Sequence, residues 1–369
     1  MNIAFVVFDY FPYGGLQRDM LAIAKVCRER LHRVTILARS WQGDIPDGET
    51  VELLPIGAGS NHSRDAAFAK VAAEKFCQYD LIVGFNKISG LDVYYAADGC
   101  LAERYQGLKT ILPRYRSKLA MERAVFQHQS NTRVLSIAPP QKALYQQHYA
   151  TAEQRFIDLP PGIRRDRALP ENFAARRAAL RAQCCIDEQT TMLLFVGSGF
   201  RTKGLDRAIR LLAGLDKTVQ LFIVGEDKRG QFERLAKKQG VSARVHFIGG
   251  RDDVQDWLWS ADLLVHLAYA ENTGTVLLEA AIAGLPVLTT SVCGYAPYIS
   301  EADMGAVVTI GETPPADAVF VQHAKALLAK PRADWRERSV SFARDADIYS
   351  LTEHAVDGIE ETARQKGVL

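Results

Sequence analysis

Two glutamates eight positions apart, Glu271 and Glu279, are the residues of this sequence best placed to do chemistry. The sequence around them predicts a buried strand, a loop and then a helix over 275–283. The start of that helix, which would present backbone amides to a phosphate, comprises Thr273, Gly274, Thr275 and Val276. One carboxylate could then accept hydrogen bonds from a sugar and the other from a ribose. A single glutamate is usually a solvated surface charge, but this pair, with the glycine between, predicts a nucleotide-sugar site.

The glutamate pair matches an E-x7-E motif, and by it the sequence resembles the retaining family 4 glycosyltransferases. Further segments narrow the resemblance to the lipopolysaccharide core glucosyltransferases, which add the first hexose to heptose. The resemblance spans nearly the whole chain, and these segments are residues 10–19, 83–87, 90–94, 96–98 and 289–296. The N-terminal segments are more specific than the glutamate pair because that half of such enzymes binds the acceptor. The resemblance implies a GT-B fold, in which two Rossmann-like domains face each other across a cleft.

A glycine-rich loop at 197–204 resembles the G-x-x-x-x-K-G loop of the family. The resemblance places Lys203 beside the diphosphate of the donor, where its ammonium would neutralise the charge that grows on the UDP leaving group. Many relatives carry an arginine directly after the first glycine, where this chain has Ser198. Arg201 could supply that charge from another direction.

A second glycine turn follows the predicted strand at 244–249, where relatives hold the nucleotide base. The resemblance implies that Arg251 binds uracil through its backbone and covers the ring with its side chain. Asp252 and Asp253 could be metal ligands, but we interpret them as a helix N-cap and a first-turn charge. The sequence therefore predicts a UDP-sugar donor substrate, no cofactor and no metal.

The N-terminal half carries two glycines expected to help bind the nucleotide sugar, and three candidate acceptor residues. Gly14 and Gly15 would let the backbone come close to a diphosphate or a sugar, although a simple tight turn is the alternative. Asp19 could fix that loop or contact the acceptor, and Lys87 lies in a segment that carries the resemblance. Asp98 closes a predicted strand and could orient the acceptor hydroxyl or accept its proton, or merely cap the next turn. Because no nucleophile is evident, we expect retention by front-face displacement rather than through a covalent intermediate.

A basic stretch between residues 103 and 126 is interleaved with tyrosine, leucine and isoleucine. Its six basic side chains stand against Glu103 and Glu122, and they are Arg104, Lys109, Arg114, Arg116, Lys118 and Arg123. This pattern could be an ordinary charged helix with its apolar side in the core. The resemblance favours docking on the anionic surface of the inner membrane, where the lipopolysaccharide acceptor is made.

Composition narrows the class of protein. The chain has 369 residues, 48% of them hydrophobic, and a net charge of +2, so we expect about two domains and no nucleic-acid partner. Its six cysteines form no C-x-x-C motif and suit the reduced thiols of a cytosol. No segment approaches the roughly 20 apolar residues that a membrane-spanning helix needs. The expected location is the cytoplasm, with peripheral association to the inner membrane.

Short apolar runs alternate with helical patterns in both halves, which predicts two parallel α/β sheets. The first set of strands is expected at 3–8, 33–38, 51–55, 80–85, 93–97, 133–138 and 155–159. The second set is expected at 191–197, 219–225, 244–249, 262–267, 286–290 and 306–309. A hinge is expected near 158–163, where prolines and a glycine interrupt the pattern. The acceptor domain would comprise 1–163 with a returning helix in 348–369, and the nucleotide-sugar domain 164–347.

Taken together, the sequence predicts a metal-independent retaining glycosyltransferase. Its expected reaction is the transfer of a hexose, glucose from UDP-glucose, to the inner-core heptose of nascent lipopolysaccharide. One alternative keeps this chemistry with another donor, such as a UDP-N-acetylhexosamine. A second alternative is a non-catalytic module that binds a sugar nucleotide or a glycolipid, because fold alone does not decide function.

Overall fold

The computed structural model describes residues 1–12, 14–105 and 107–369, except for the side chains of Leu108 and Lys109. Their contacts divide the chain into two units. The first comprises Met1–Gly162 and Tyr349–Leu369, and the second comprises Ile163–Ile348. Each unit is built on one parallel sheet, so the prediction of two Rossmann-like α/β domains is confirmed. Every strand expected from the sequence is present, with ends that shift by at most three residues.

In the first unit the described residues form a seven-stranded sheet in the order β3-β2-β1-β4-β5-β6-β7. The strands are β1 (Asn2–Tyr10), β2 (Arg33–Trp41), β3 (Thr50–Leu53), β4 (Leu81–Gly84), β5 (Val93–Ala96), β6 (Arg133–Ser136) and β7 (Phe156–Asp158). The helices between them are α1 (Gly15–Glu29), α2 (Asn61–Ala73), α3 (Leu101–Arg104), α4 (Pro113–Phe126) and α5 (Pro139–Tyr149). Single-turn 3-10 helices lie at Phe76–Gln78 and Glu153–Arg155, and a slightly longer one lies at Gly107–Ile111.

The apolar run of β1 forms a strand because both faces of the sheet are covered. Ile3 and Phe5 pack in one cluster with side chains of α1. Ala4 and Val6 pack in the opposite cluster with side chains of α2, α4 and α5. The strand order reverses between β1 and β4, and ligands of such sheets bind outside the carboxyl ends at this point.

In the second unit the described residues form a six-stranded sheet in the order β10-β9-β8-β11-β12-β13. The strands are β8 (Thr191–Val196), β9 (Val219–Val224), β10 (Val245–Gly249), β11 (Leu263–His266), β12 (Val287–Thr290) and β13 (Gly305–Val308). The helices are α6 (Phe173–Gln183), α7 (Leu205–Ala213), α8 (Gly230–Lys238), α9 (Val254–Ser260), α10 (Thr275–Ile282), α11 (Ala296–Glu301), α12 (Asp317–Leu328) and α13 (Arg332–Asp345). Two 3-10 helices lie at Arg165–Arg167 and Ser242–Arg244. The order reverses between β8 and β11.

The last helix, α14 (Leu351–Lys366), belongs to the first unit although it follows the second in sequence. Its buried face joins the core cluster of β1 and α1. A Cβ at Gly358 would lie 3.0 Å from side-chain atoms of Leu135 and Ile157, so any larger residue would push these side chains aside where α14 crosses β6 and β7. Where the chain enters and leaves the second unit, the Ile163 amide donates to the Ile348 carbonyl at 2.8 Å.

Candidate active site

The point where the strand order of the second sheet reverses brings together the two loops that were expected from the sequence to bind the nucleotide sugar. Lys203 lies in the loop between β8 and α7, and Glu271 in the loop between β11 and α10. Their side chains form a direct ion pair, in which the Lys203 Nζ donates to the Glu271 Oε2. Both are about three-quarters buried or more, with 25% and 16% of the side chains exposed. The expected phosphate-binding lysine and sugar-binding glutamate therefore share one site.

The two loops are fixed to each other through the backbone. The Tyr269 amide donates to the Thr202 carbonyl at 2.8 Å. Arg207, which is buried, donates from one guanidinium nitrogen to the carbonyls of Leu267 and Ala268, each at 3.0 Å. Gly204 has a φ of +77°, and a Cβ there would lie 2.0 Å from the Leu267 carbonyl oxygen. Only glycine allows this approach, and the approach sets the distance between Lys203 and Glu271.

His266, the last residue of β11, completes the cluster, although it was not among the site residues expected from the sequence. Its ring is fully buried, and its Nε2 lies 3.3 Å from the Glu271 Oε2. Burial lowers the pKa of His266, which keeps the ring neutral, although the hydrogen bond with Glu271 opposes this effect. The sequence signal was a single histidine inside an apolar strand next to a candidate catalytic loop.

The Glu271 carboxyl is ionised in this cluster. Burial on its own would raise the pKa of Glu271, but the hydrogen bond from His266 and the charge of Lys203 outweigh burial and lower the pKa to about 2. An ionised carboxylate only accepts hydrogen bonds. Glu271 is therefore suited to hold sugar hydroxyls rather than to donate a proton.

The start of α10 lies directly after Glu271. Gly274 is its N-cap with a φ of +83°, and within the described part of the chain no side chain caps this helix. Thr273, Thr275 and Val276 are each partly exposed beside it. Glu279 lies one turn into α10, where its Oε1 is 3.8 Å from the Nε of Arg167. The geometry leaves this end of α10 suited to an anion, with Glu279 beside it.

The two arginines expected near the donor occupy different surroundings. Arg201 is exposed in the Lys203 loop. Arg251 directs its guanidinium to the Asp253 carboxylate through two bonds of 2.8 and 2.6 Å. The interpretation of the two aspartates is shifted by one residue. Asp253, expected in the first turn, is the N-cap residue of α9 and forms no side-chain cap bond, and Asp252, expected as the N-cap, precedes it. Across the described residues no group of three or more His, Cys, Asp or Glu is arranged to hold a metal.

In the first unit, Gly14 is the N-cap residue of α1 and Gly15 is the first residue of that helix. A Cβ at Gly14 would lie 1.8 Å from the Gln17 Oε1, whereas one at Gly15 would meet nothing within 4 Å. Gly14 therefore serves local packing, and Gly15 borders open space. Asp19 accepts a hydrogen bond from the Tyr95 hydroxyl at 2.9 Å. Burial raises the pKa of Asp19, and the nearby Arg18 and Tyr95 oppose this only in part.

Of the two other candidate acceptor residues, Asp98 is exposed and Lys87 is buried. Asp98 is exposed directly after β5, and its carbonyl accepts a bond from the Tyr145 hydroxyl at 2.7 Å. Lys87 is buried, and its Nζ donates to the Glu122 Oε2 at 2.6 Å and to the Gly99 carbonyl at 2.8 Å. The buried position of Lys87 does not support the expectation that it binds the acceptor directly, because its ammonium is bonded to Glu122 and Gly99 within the first unit.

The basic stretch presents charge and apolar surface together. Of its expected cations, Lys118 is half-buried and Lys109 has a side chain outside the described residues, whereas the exposed ones are Arg104, Arg114, Arg116 and Arg123. Ile111 and Leu112, which precede α4, are 65% and 45% exposed. Glu122, counted from the sequence as an opposing charge of this stretch, is fully buried and is not a surface charge. No helix among the residues described is both long enough and apolar enough to cross a bilayer.

Comparisons with known proteins place this site in a family. The profile of the family "Glycosyl transferases group 1" matches residues 177–341. The chain is 43% identical to the lipopolysaccharide glucosyltransferase WaaG of Escherichia coli (strain K12) over 97% of this chain and 98% of that protein. The crystal structure of WaaG, a glycosyltransferase involved in lipopolysaccharide biosynthesis, superimposes with a TM-score of 0.88 at 42% identity, over 97% of this chain and 99% of that one.

A more distant structure, Anabaena Alr3699/HepE in complex with UDP and glucose, shares the fold with a TM-score of 0.76. At 16% identity, over 98% of this chain and 100% of that one, this likeness concerns the fold alone. The relation to WaaG is much closer, and it extends over both units of the structure. The chain is therefore a glycosyltransferase of group 1 and belongs to the family of lipopolysaccharide glucosyltransferases.

Proposed function

We propose that this enzyme transfers glucose from UDP-glucose to the inner-core heptose of nascent lipopolysaccharide, with retention of configuration and without a metal. The observation that carries this proposal is the Lys203–Glu271 pair at the reversal point of the second sheet, in a chain related to WaaG over nearly its whole length. The pair supplies one cation and one hydrogen-bond acceptor at the place where such sheets bind ligands.

On the donor side, the phosphates of UDP would take the place of Glu271 as partners of the Lys203 ammonium. Glu271, ionised and partly exposed, would then accept hydrogen bonds from the hexose hydroxyls. The start of α10 at Gly274 would bind the diphosphate, and Glu279 would accept bonds from the ribose. Arg201 would add positive charge near the phosphates, and Arg251 would border the uracil.

On the acceptor side, Asp98 is the carboxylate that we propose orients the heptose hydroxyl. It is exposed at the carboxyl end of β5, and Asp19 is held near the same strand by Tyr95. Because the departing phosphate can accept the hydroxyl proton as the glycosidic bond breaks, a front-face displacement accounts for retention without a covalent intermediate.

The acceptor is anchored in a bilayer, so the enzyme must work at the cytoplasmic surface of the inner membrane. The exposed Ile111 and Leu112, together with the cations of α4, form a surface suited to anionic headgroups. We propose that this surface, which we call the basic segment (residues 103–126), docks the enzyme beside its acceptor.

The test is UDP release measured with and without a heptose-terminated lipopolysaccharide acceptor. UDP-glucose should support acceptor-dependent release, whereas UDP-N-acetylglucosamine and UDP-galactose should support much less. Faster turnover with UDP-N-acetylglucosamine would replace the proposed donor and keep the chemistry. UDP binding without transfer from any of these donors would contradict the proposed reaction.

Metal independence is tested in the same assay. The proposal assigns the leaving-group charge to Lys203 and to the start of α10, so transfer should continue at an unchanged rate after extensive treatment with a chelator. A strict requirement for an added divalent cation would contradict this assignment.

A further inference from the structure

Glu122 on α4 is a buried carboxylate that the proposed reaction does not use. None of its side chain is exposed, and five hydrogen-bonding groups converge on it. The Lys87 Nζ and the Tyr149 hydroxyl donate to it at 2.6 and 2.7 Å. The amides of Leu101 and Ala102 donate at 2.8 and 2.9 Å, and the thiol of Cys100 is 3.8 Å away. Burying a carboxylate is costly unless such bonds compensate.

Most of these bonds lead to one short segment, residues 98–102, which carries Asp98. Glu122 holds the amides of Leu101 and Ala102. Lys87, paired with Glu122, also donates to the Gly99 carbonyl at 2.8 Å. The segment is completed from α5, where Gln141 accepts a bond from the Cys100 amide and Tyr145 donates to the Asp98 carbonyl. Each of the five residues in this segment therefore has a backbone group bound to a side chain from outside it.

The hydroxyls in this cluster remain donors. Burial, together with the charge of Glu122, raises the pKa of Tyr149. Burial likewise raises the pKa of Tyr145 well above its usual value. Both side chains therefore stay protonated at physiological pH, and their bonds to Glu122 and to the Asp98 carbonyl persist.

We propose that Glu122 is a positioning residue for the acceptor. Through the amides of Leu101 and Ala102 and through Lys87, its carboxylate fixes the 98–102 segment, and with it the direction of the Asp98 side chain. This inference rests on the proposed role of Asp98 in binding the acceptor hydroxyl. A displacement of about 1 Å in such a group can cost a factor of one hundred in rate.

The test compares three single variants of the full-length enzyme. Glu122→Gln keeps the shape but places an amide where donors converge, and Tyr149→Phe removes one bond to Glu122. Tyr94→Phe is the matched control, because among the described residues the buried Tyr94 hydroxyl has no hydrogen-bond partner. For each variant, kcat/KM for the heptose-terminated acceptor, the Kd for UDP and the Tm are measured.

We expect kcat/KM for the acceptor to fall by roughly tenfold to a hundredfold in Glu122→Gln and by about tenfold in Tyr149→Phe. The Kd for UDP should not change, because UDP binds in the other unit, and Tyr94→Phe should match the parent. A purely structural role would lower Tm and leave acceptor kinetics below Tm unchanged, and that result would overturn the proposal. If Glu122→Gln does not fold, parent-like acceptor kinetics in Tyr149→Phe would overturn it equally.

The same data separate this inference from the proposed function. If the parent enzyme itself shows no transfer to the heptose acceptor, the proposed function fails first. If the parent transfers glucose and the Glu122 and Tyr149 variants do so equally well, only the positioning role is wrong.

Discussion

At the scale of single residues, the contact between Lys203 and Glu271 links two motifs that lie 68 positions apart. In this arrangement each side chain compensates the charge of the other while both remain partly accessible. A UDP-sugar would separate the pair and provide partners for both: phosphate for the ammonium and hydroxyls for the carboxylate. Without a bound donor, Lys203 and Glu271 therefore serve as each other's charged hydrogen-bond partners.

The two glutamates should separate UDP binding from use of the sugar. Glu279→Gln should weaken UDP and UDP-glucose binding together, because the ribose is common to both. Glu271→Gln should leave UDP affinity nearly intact and reduce transfer. A lost hydrogen bond to a charged group is worth about 1.5–3 kcal/mol, or roughly tenfold or more. Calorimetric titration with UDP and steady-state kinetics would check this, and equal losses of UDP affinity in both variants would contradict it.

The lowered pKa of Glu271 predicts how acid affects the second unit. The pKa is about 2 in the folded protein against an ordinary value of 4.5. Above about pH 4.5 the carboxylate is ionised in both states, so its stabilisation is fully present. As the pH falls from there toward 2, the unfolded chain binds a proton that the folded chain does not, and this stabilisation is lost.

Urea unfolding of the parent and of Glu271→Gln between neutral pH and about pH 3.5 checks this sign. The free energy of unfolding of the second unit should fall more steeply with acid in the parent, because the glutamine does not titrate. Parallel curves for the two proteins would show that Glu271 is not held ionised by Lys203 and His266.

Sequence alone predicted some of these residues and missed others for a physical reason. Glu271, Glu279 and Lys203 are recognisable because glycines and strand patterns surround them locally. The role of His266 was not recognisable, because a histidine in an apolar strand is usual in a core, and its bond to Glu271 depends on the folded loop. Lys87 was assigned to the acceptor because it lies in a segment that carries the resemblance. Its pairing with Glu122, 35 positions away, leaves no mark on the sequence.

At the scale of elements, prediction was most successful where burial dictates the pattern. The runs that became β1, β8 and β11 are apolar on both faces because helices cover both sides of their sheets. α4 was harder to interpret, since it combines a buried end at Val125 and Phe126 with a charged, exposed beginning. From the sequence, Glu122 was counted among the charges of the exposed stretch, which was wrong because Glu122 lies on the buried side of α4.

The exposed part of α4 leads to a prediction about membranes. Reversing Arg114, Arg116 and Lys118 to glutamate should reduce binding to anionic vesicles by well over a hundredfold, since each cation contributes about 1 kcal/mol near such a surface. Transfer to a small soluble acceptor should stay nearly unchanged. Vesicle sedimentation at low and high salt measures the effect, and binding by the parent should weaken as salt screens the charges.

A control for net charge is a triple glutamate variant at Lys228, Lys237 and Lys238, which are exposed in the second unit. It changes the total charge equally and should bind vesicles as the parent does. If both triple variants lose binding to the same extent, the attraction is general. If neither does, the basic segment is an ordinary solvated face.

At the scale of the whole molecule, the first unit is completed by the last helix. Ala355, Val356 and Ile359 of α14 are fully buried against the same cluster as Ile3 and Phe5. Ending the chain after residue 348 should therefore unfold the first unit, whereas the second unit should still bind UDP. Hydrogen exchange of each unit and calorimetry with UDP would show this.

Removing only Leu369 is the control, since it keeps α14 with its C-cap Gly367 and takes away a side chain that is 52% exposed. It should leave the exchange of both units close to that of the parent. Protection of the first unit without α14 would contradict the prediction. Loss of UDP binding together with the first unit would show that the two units depend on each other for folding.

The late position of α14 also matters while the chain is being made. A ribosome that has finished residue 162 must still synthesise the whole second unit, residues 163–348, before α14 emerges. At about 5–20 residues per second this takes roughly 10 to 40 s. During that time one side of the N-terminal sheet, with Ile3, Phe5 and Val83, has no helix from the C-terminus to cover it. The part of the N-terminal sheet that α14 covers therefore stays uncovered by it until the last helix is released.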